Sequence, residues 1–250
     1  MGRNDQRPPV ITDPLRHAEN KWHQSFTEAE RVSIWEPFAS YCTTKQFSQL
    51  DEGFVNHCGP VAVTNLLLTL NGRYGFLKED AVCPEEIFRE VCVIGRKDLA
   101  YWNTDALKLF GGTYDPLTGR YIRDCLRHFG APYEDTAGGI FLGIGRAARE
   151  GALTEGSALK RKSTLSVSGF VGADLRKLTG ELRRGKVLYL QLHWHPSYRH
   201  HHVVCYGCRI LADPERKKQL LYLLAADGWA AAPRYVEASS MLLRHYYAIG

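Results

Sequence analysis

Three short stretches of this chain carry residue types that together can perform acyl transfer. Cys58 follows Asn56 and His57 and precedes Gly59 and Pro60, directly before an apolar run. In that run Ala62, Leu66 and Leu70 recur every four residues, which predicts a helix opening at Cys58 and stopping at Asn71 and Gly72. A thiol in the first turn of a helix meets unsatisfied backbone N–H groups and the positive end of the macrodipole, and both favour its anion. Gly59 permits close approach by a substrate backbone, and Pro60 is tolerated where its missing N–H would have had no helical partner. A cysteine at a helix start can equally be a small apolar residue, so Cys58 needs partners before it reads as a nucleophile.

A thiolate nucleophile needs a base, and the base needs a group to orient it. His200, His201 and His202 lead into Val203, Val204, Cys205, Tyr206 and Gly207, so at least one histidine begins a strand and leans over one sheet face. Neighbours on a strand point to opposite faces, so only one of them can meet Cys58. The next strand ends at Asp227, Gly228 and Trp229. A carboxylate there can accept a histidine N–H, fix its tautomer and stabilise its charged form, with Trp229 covering the bond from water.

This order of segments resembles the papain-like cysteine peptidase superfamily. Cys58, Gly59 and Pro60, with the terse layout, are most similar to the bacterial branch that includes bacteriocin leader peptidases. The resemblance covers about residues 46 to 250. In that family the histidine stands six residues before the glycine that closes its strand, which implies His201 as the base, with His200 and His202 at the rim or on the second face. The family's Asn or Asp precedes a small residue and Trp, which implies Asp227. The glutamine that serves the oxyanion hole, six residues before the cysteine, is replaced here by Glu52. An ionised carboxylate would repel the developing charge. The hole would then rest on a Glu52 kept protonated by burial, on Gln49 or Asn56, or on the Cys58 N–H alone; otherwise catalysis has been lost.

The resemblance implies a cysteine peptidase or amide hydrolase working through an acyl-enzyme on Cys58, with a peptide or small amide as substrate and no cofactor. Two alternatives keep the same fold: an acyltransferase or transpeptidase, in which an amine or thiol replaces water, and a binding module without catalysis. A metal site would have to use His193 and His195, two apart on one strand, or Cys205 and Cys208. The latter face opposite sides of an unbroken strand, so no metal is expected.

The elements around these residues follow from patterning. Helices are expected at 84–93, 104–110, 121–129 and 174–184, and a glycine-rich crossing at about 138–156. Strands are expected at 187–192, 202–210, 219–225 and 243–249. A helical front half and a mostly antiparallel back half make an α+β protein with a cleft at the seam. The expected division is an N-terminal arm and lead-in over 1–45, then a papain-like domain over 46–250, helical to about 160 and stranded from about 161. The arm, with Pro8, Pro9 and Pro14, reads as an extended segment lying on the body or staying mobile.

With 250 residues, 44% of them hydrophobic and 24% charged, the chain can bury a core and lacks the bias of a disordered protein. No apolar stretch approaches the roughly 20 residues of a membrane span. The polar first thirty residues lack the apolar centre of a secretory signal. The net charge of +5 is mild and scattered, which argues against nucleic acid as a partner. Seven cysteines, an odd number without framework spacing, suit reduced thiols in the cytoplasm.

Overall fold

The computed structural model describes residues 10–33, 38–42, 57–78, 83–102, 112–133, 165, 167–171, 175–215, 218–238 and 242–250. Its helices are α1 (Pro14–Trp22), α2 (Cys58–Tyr74), α3 (Pro84–Lys97), α4 (Thr118–His128) and α5 (Leu175–Arg183). The strands are β1 (Thr27–Ser33), β2 (Tyr101–Trp102), β3 (Gly112–Thr113), β4 (Val167–Val171), β5 (Val187–His195), β6 (Arg199–Ala212), β7 (Gln219–Ala226), β8 (Arg234–Glu237) and β9 (Leu242–Ile249). The protein is α+β, as the patterning predicts, with most helices before and most strands after the expected crossing; β1, β2 and β3 precede it and α5 follows it. The expected helix at 104–110 and the glycine-rich crossing lie outside the described residues.

The main sheet runs β4-β9-β5-β6-β7-β8, every pair antiparallel. Strand β6 is long enough to serve two neighbours on one side, β5 along its first half and β1 along its second. Alternation along the strands separates two cores. Tyr189, Val204, Tyr206 and Ala226 face α2, α3 and α4, while Leu188, Leu190, Val203, Cys205 and Ala225 face Leu178 and Leu182 of α5. β2 and β3 form a separate small hairpin beside the start of α2.

Helix α2 is apolar nearly all round because it is wrapped on several sides, by β6 and α3 in particular. It runs past the expected stop at Asn71. Asn71 stays helical and its side chain accepts the Leu77 N–H at 2.7 Å, while Gly75, with φ of 59°, closes the helix. Its buried polar residues are all bonded. Thr64 donates to the Pro60 carbonyl, Asn65 donates to the Tyr41 carbonyl at 3.0 Å, and Thr69 donates to the Tyr206 hydroxyl at 3.1 Å. Thr69 also accepts from the Ala39 N–H, and Tyr206 donates to the Ala39 carbonyl, so the segment 38–42 is laced onto the helix.

The N-terminal segment differs from the expected extended arm. Asp13 caps α1 by accepting from the Leu15 and Arg16 N–H groups, and Pro14 occupies its first turn. Ile11, Ala18 and Phe26 bury against Leu211, Leu220 and Tyr222. A handful of well-spaced apolar residues is thus enough to seat a helix and a strand whose remaining positions are polar.

Candidate active site

Cys58 is the first residue of α2, partly exposed, with no acidic side chain in the helix's first turn. Gly59 sits where a side chain would run into Thr113 of β3, so the hairpin backs directly onto the helix start. Burial holds the Tyr101 phenol well above its ordinary range, and the charges of Cys92 and Cys58 push it further in the same direction, which places Cys58 in the neighbourhood of that ring.

His201, at the start of β6, is buried. Its Nε2 lies 2.7 Å from the main-chain oxygen of Asp227. A carbonyl oxygen can only accept, so Nε2 carries the hydrogen and, in the neutral ring, Nδ1 keeps the lone pair. The ring packs against Trp229, with centroids 4.4 Å apart, and stacks on Tyr198 at 5.5 Å. Burial keeps its pKa below the usual histidine value; the Asp227 carbonyl and charge oppose that, and Arg234 and His195 add to it.

The carboxylate of Asp227 is engaged elsewhere. Its Oδ2 accepts from the Tyr198 hydroxyl at 2.8 Å and lies 2.8 Å from Arg234 Nε, with the aspartate and arginine side chains 0% and 4% exposed. The arginine is close without its N–H pointing along the line to the oxygen, so the pair is an ion pair more than a hydrogen bond. Oδ1 accepts the Trp229 N–H at 3.0 Å, closing the turn. Gly228, with φ of 74°, carries that turn against α2: a Cβ added there would come 2.7 Å from Val61 Cγ1.

The three segments singled out by the sequence therefore meet. Helix α2 packs directly on β6, with Thr69 bonded to Tyr206, and His57 stands just before its first turn. The pKa of His57 is pushed down to about 3, first by burial and then by the field of His201, so His57 stays neutral. His57 also packs edge-on against Phe88. The adjacency of His57 to Cys58 was its only sequence signal. Tyr198 and Arg234 gave none, since each reaches Asp227 from a different turn or strand.

By strand alternation His201 shares the sheet face of Leu192 and Val203, which α5 covers, and His202 occupies the face turned to α2. It pairs with Gln191 in the register, and its Nδ1 lies 2.9 Å from the Tyr189 hydroxyl, on the side of the sheet that α2 and α4 cover. His200 and His193 face each other at the strand ends, with Nδ1 atoms 3.1 Å apart. The candidate oxyanion residues Glu52, Gln49 and Asn56 lie outside the described residues.

The residues weighed as metal ligands separate in one case and come together in the other. A register shift between Leu192 and His195 parts His193 from His195. The buried His195 accepts from the Ser197 and Tyr198 N–H groups through Nδ1 and donates from Nε2 to the Glu237 carbonyl. Cys205 and Cys208, expected on opposite faces, share one: a bulge at Tyr206 pairs Cys205 with Ala225 and Cys208 with Leu223. Burial raises both thiols, Cys208 to about 11, which keeps them protonated and poor as ligands. Among the described residues no group of three or more His, Cys, Asp and Glu could hold a metal ion, and no helix is long and apolar enough to cross a membrane. Among the same residues, which include all seven cysteines, there is no disulfide.

No protein-family model and no curated protein matches this chain.

Proposed function

We propose that this protein is a papain-like cysteine hydrolase of amide bonds, of the kind found among bacteriocin leader peptidases and their stand-alone relatives. Its substrate is a peptide or small amide and its compartment a reducing cytoplasm. The observation that carries this reading is the meeting of the helix that opens at Cys58, the first residues of β6 with His201 and the turn at Asp227, with the His201 ring oriented by a donated Nε2–H and covered by Trp229.

Nδ1 of His201 takes the proton of the Cys58 thiol, and the sulfur attacks the substrate carbonyl carbon. As the C–N bond breaks, the same proton passes from Nδ1 to the leaving amine. A water then gives a proton to Nδ1 and attacks the thioester. The acid leaves, and the proton returns to the sulfur. Asp227 orients His201 throughout, and the N-terminus of α2 favours the thiolate.

A second reading gives the base to His202, favoured by its place on the sheet face that α2 covers. Alkylation with iodoacetamide at pH 6, followed by mass mapping of the seven cysteines, tests both. Cys58 is expected to react about tenfold faster than any other cysteine, and its rate to fall in His201→Ala but not in His202→Ala. The opposite pattern moves the role to His202, and equal rates for all cysteines end the hydrolase reading. Adding an amine acceptor to a thioester substrate then separates hydrolysis from acyl transfer.

A further inference from the structure

Papain-like chemistry, on which this inference rests, assigns the third position to a side chain, yet here the imidazole is held by the main chain. The Asp227 carbonyl takes the His201 N–H, while the carboxylate of the same residue is engaged by other partners. Tyr198 and Arg234 hold it there, and neither belongs to the three segments that define the site. Arg234 opens β8, and Tyr198 sits in the turn between β5 and β6.

We propose that Tyr198 and Arg234 are positioning residues that lock the Asp227 carboxylate away from His201, so that the Asp227 carbonyl alone selects the tautomer leaving Nδ1 as the basic nitrogen. Tyr198 does this from two directions at once. Its hydroxyl donates to Oδ2, and its ring lies 5.3 Å from Trp229 and 5.5 Å from His201, stacked on both. Arg234 neutralises a carboxylate that is wholly out of water, and a buried carboxylate released from a cation would seek the nearest N–H. His201 stacks on the same Tyr198 ring and already feels the charge of that carboxylate. An anion touching the ring would stabilise imidazolium and raise the His201 pKa, so that more of the ring would already hold a proton and could not take one from the thiol. The lock therefore keeps His201 neutral and ready to accept, in a setting that already includes neutral His57 from α2 and His195 from β5.

Nitrogen-15 NMR of the histidine rings reads the tautomer directly, and recording it on the full chain with Cys58→Ala makes the outcome independent of any thiol chemistry. His201 is expected to show the Nε2–H tautomer, and to keep it in Asp227→Asn, because the carbonyl remains. Arg234→Gln is expected to raise the midpoint of the His201 titration by about one pH unit as the freed carboxylate approaches. Tyr198→Phe, which removes one hydroxyl and keeps the packing, shifts it in the same direction by less, and serves if Arg234→Gln fails to fold. The proposal is overturned if Asp227→Asn switches the tautomer, or if the variants that fold leave the His201 midpoint where it was. Loss of selective Cys58 alkylation with these NMR results intact would sink the hydrolase reading and leave the lock standing.

Discussion

Gly228 lies against Val61, so close that a methyl group on its Cα would stand 2.7 Å from Val61 Cγ1. This contact sets how far the end of β7 can approach the first turns of α2. The positive φ of 74° adds a backbone cost for any other residue. Gly228→Ala is expected to lower stability by about 2–3 kcal/mol, from strain and overpacking together. Urea denaturation measures it, and Val61→Ala in the same chain should return the steric share. A Gly228→Ala protein as stable as the parent would mean that turn and helix are not in contact.

Gly59 makes the corresponding contact on the other side of the helix, where a side chain would collide with Thr113. Gly59→Ala is expected to cost about 1–3 kcal/mol, and Thr113→Gly to relieve it. The readout is the midpoint of thermal unfolding for the two single variants and the double. Additive effects would show that the positions do not touch.

The Asp227–Arg234 pair is out of water on both sides. Arg234→Met strands the carboxylate, and a loss of about 3–5 kcal/mol is expected. Replacing both partners, as Asp227→Leu with Arg234→Met, should recover most of it, since two apolar side chains need no compensation. Failure of the double variant to recover would show that the carboxylate has work to do beyond its cation.

Acid should weaken the fold through its buried histidines. His57 is held down to about 3, and His201 and His195 are also depressed, in each case chiefly by burial. Below an unfolded value of about 6.5 the unfolded chain binds protons that the native rings refuse. Stability is therefore greatest above that value and falls with pH by up to about 1.4 kcal/mol per unit for each such ring, down to about pH 3 for His57. His57→Phe, which keeps a ring beside Phe88, should flatten the slope between pH 6 and pH 4 in urea titrations. An unchanged slope would mean that His57 is hydrated.

Where the chain alternates or recurs strongly, the sequence was readable to within a few residues. The helix from Cys58 begins where expected, and α3, α4 and α5 extend the predicted spans by a turn or match them closely. All four predicted strands are present, each slightly longer than its apolar run because pairing continues into flanking histidines and small residues. Of the five strands the pattern missed, β1, β4 and β8 have a common cause, while β2 and β3 are two residues each. Thr27–Ser33 and Arg234–Glu237 are rich in charge, and Val167–Val171 contains serine and glycine, so among the described side chains each buries, in whole or in part, only one or two apolar ones, and its strand character shows in backbone pairing with a neighbour.

The candidate site shows the same division. Cysteine, histidine and Asp-Gly-Trp could be found because each marks the beginning or end of an element. The partners of the aspartate could not, since Arg234 gains its meaning only from a pairing of β7 with β8 that places it beside Ala225, two residues from Asp227. The bulge in β6 likewise turns Cys208 to the face of Cys205, a reversal that one unpaired residue produces and that spacing alone cannot reveal.

The sharing of β6 between two neighbours bears on how the cysteine-bearing unit can be isolated. A fragment beginning at residue 46 would discard β1, which hydrogen-bonds to β6 from Gly207 to Ala212, and would bare that stretch of backbone as an unsatisfied margin. Such margins recruit strands from other molecules. Strand β1 thus acts as a selvage for the sheet, and a chain shortened past it is expected to self-associate more than the full one.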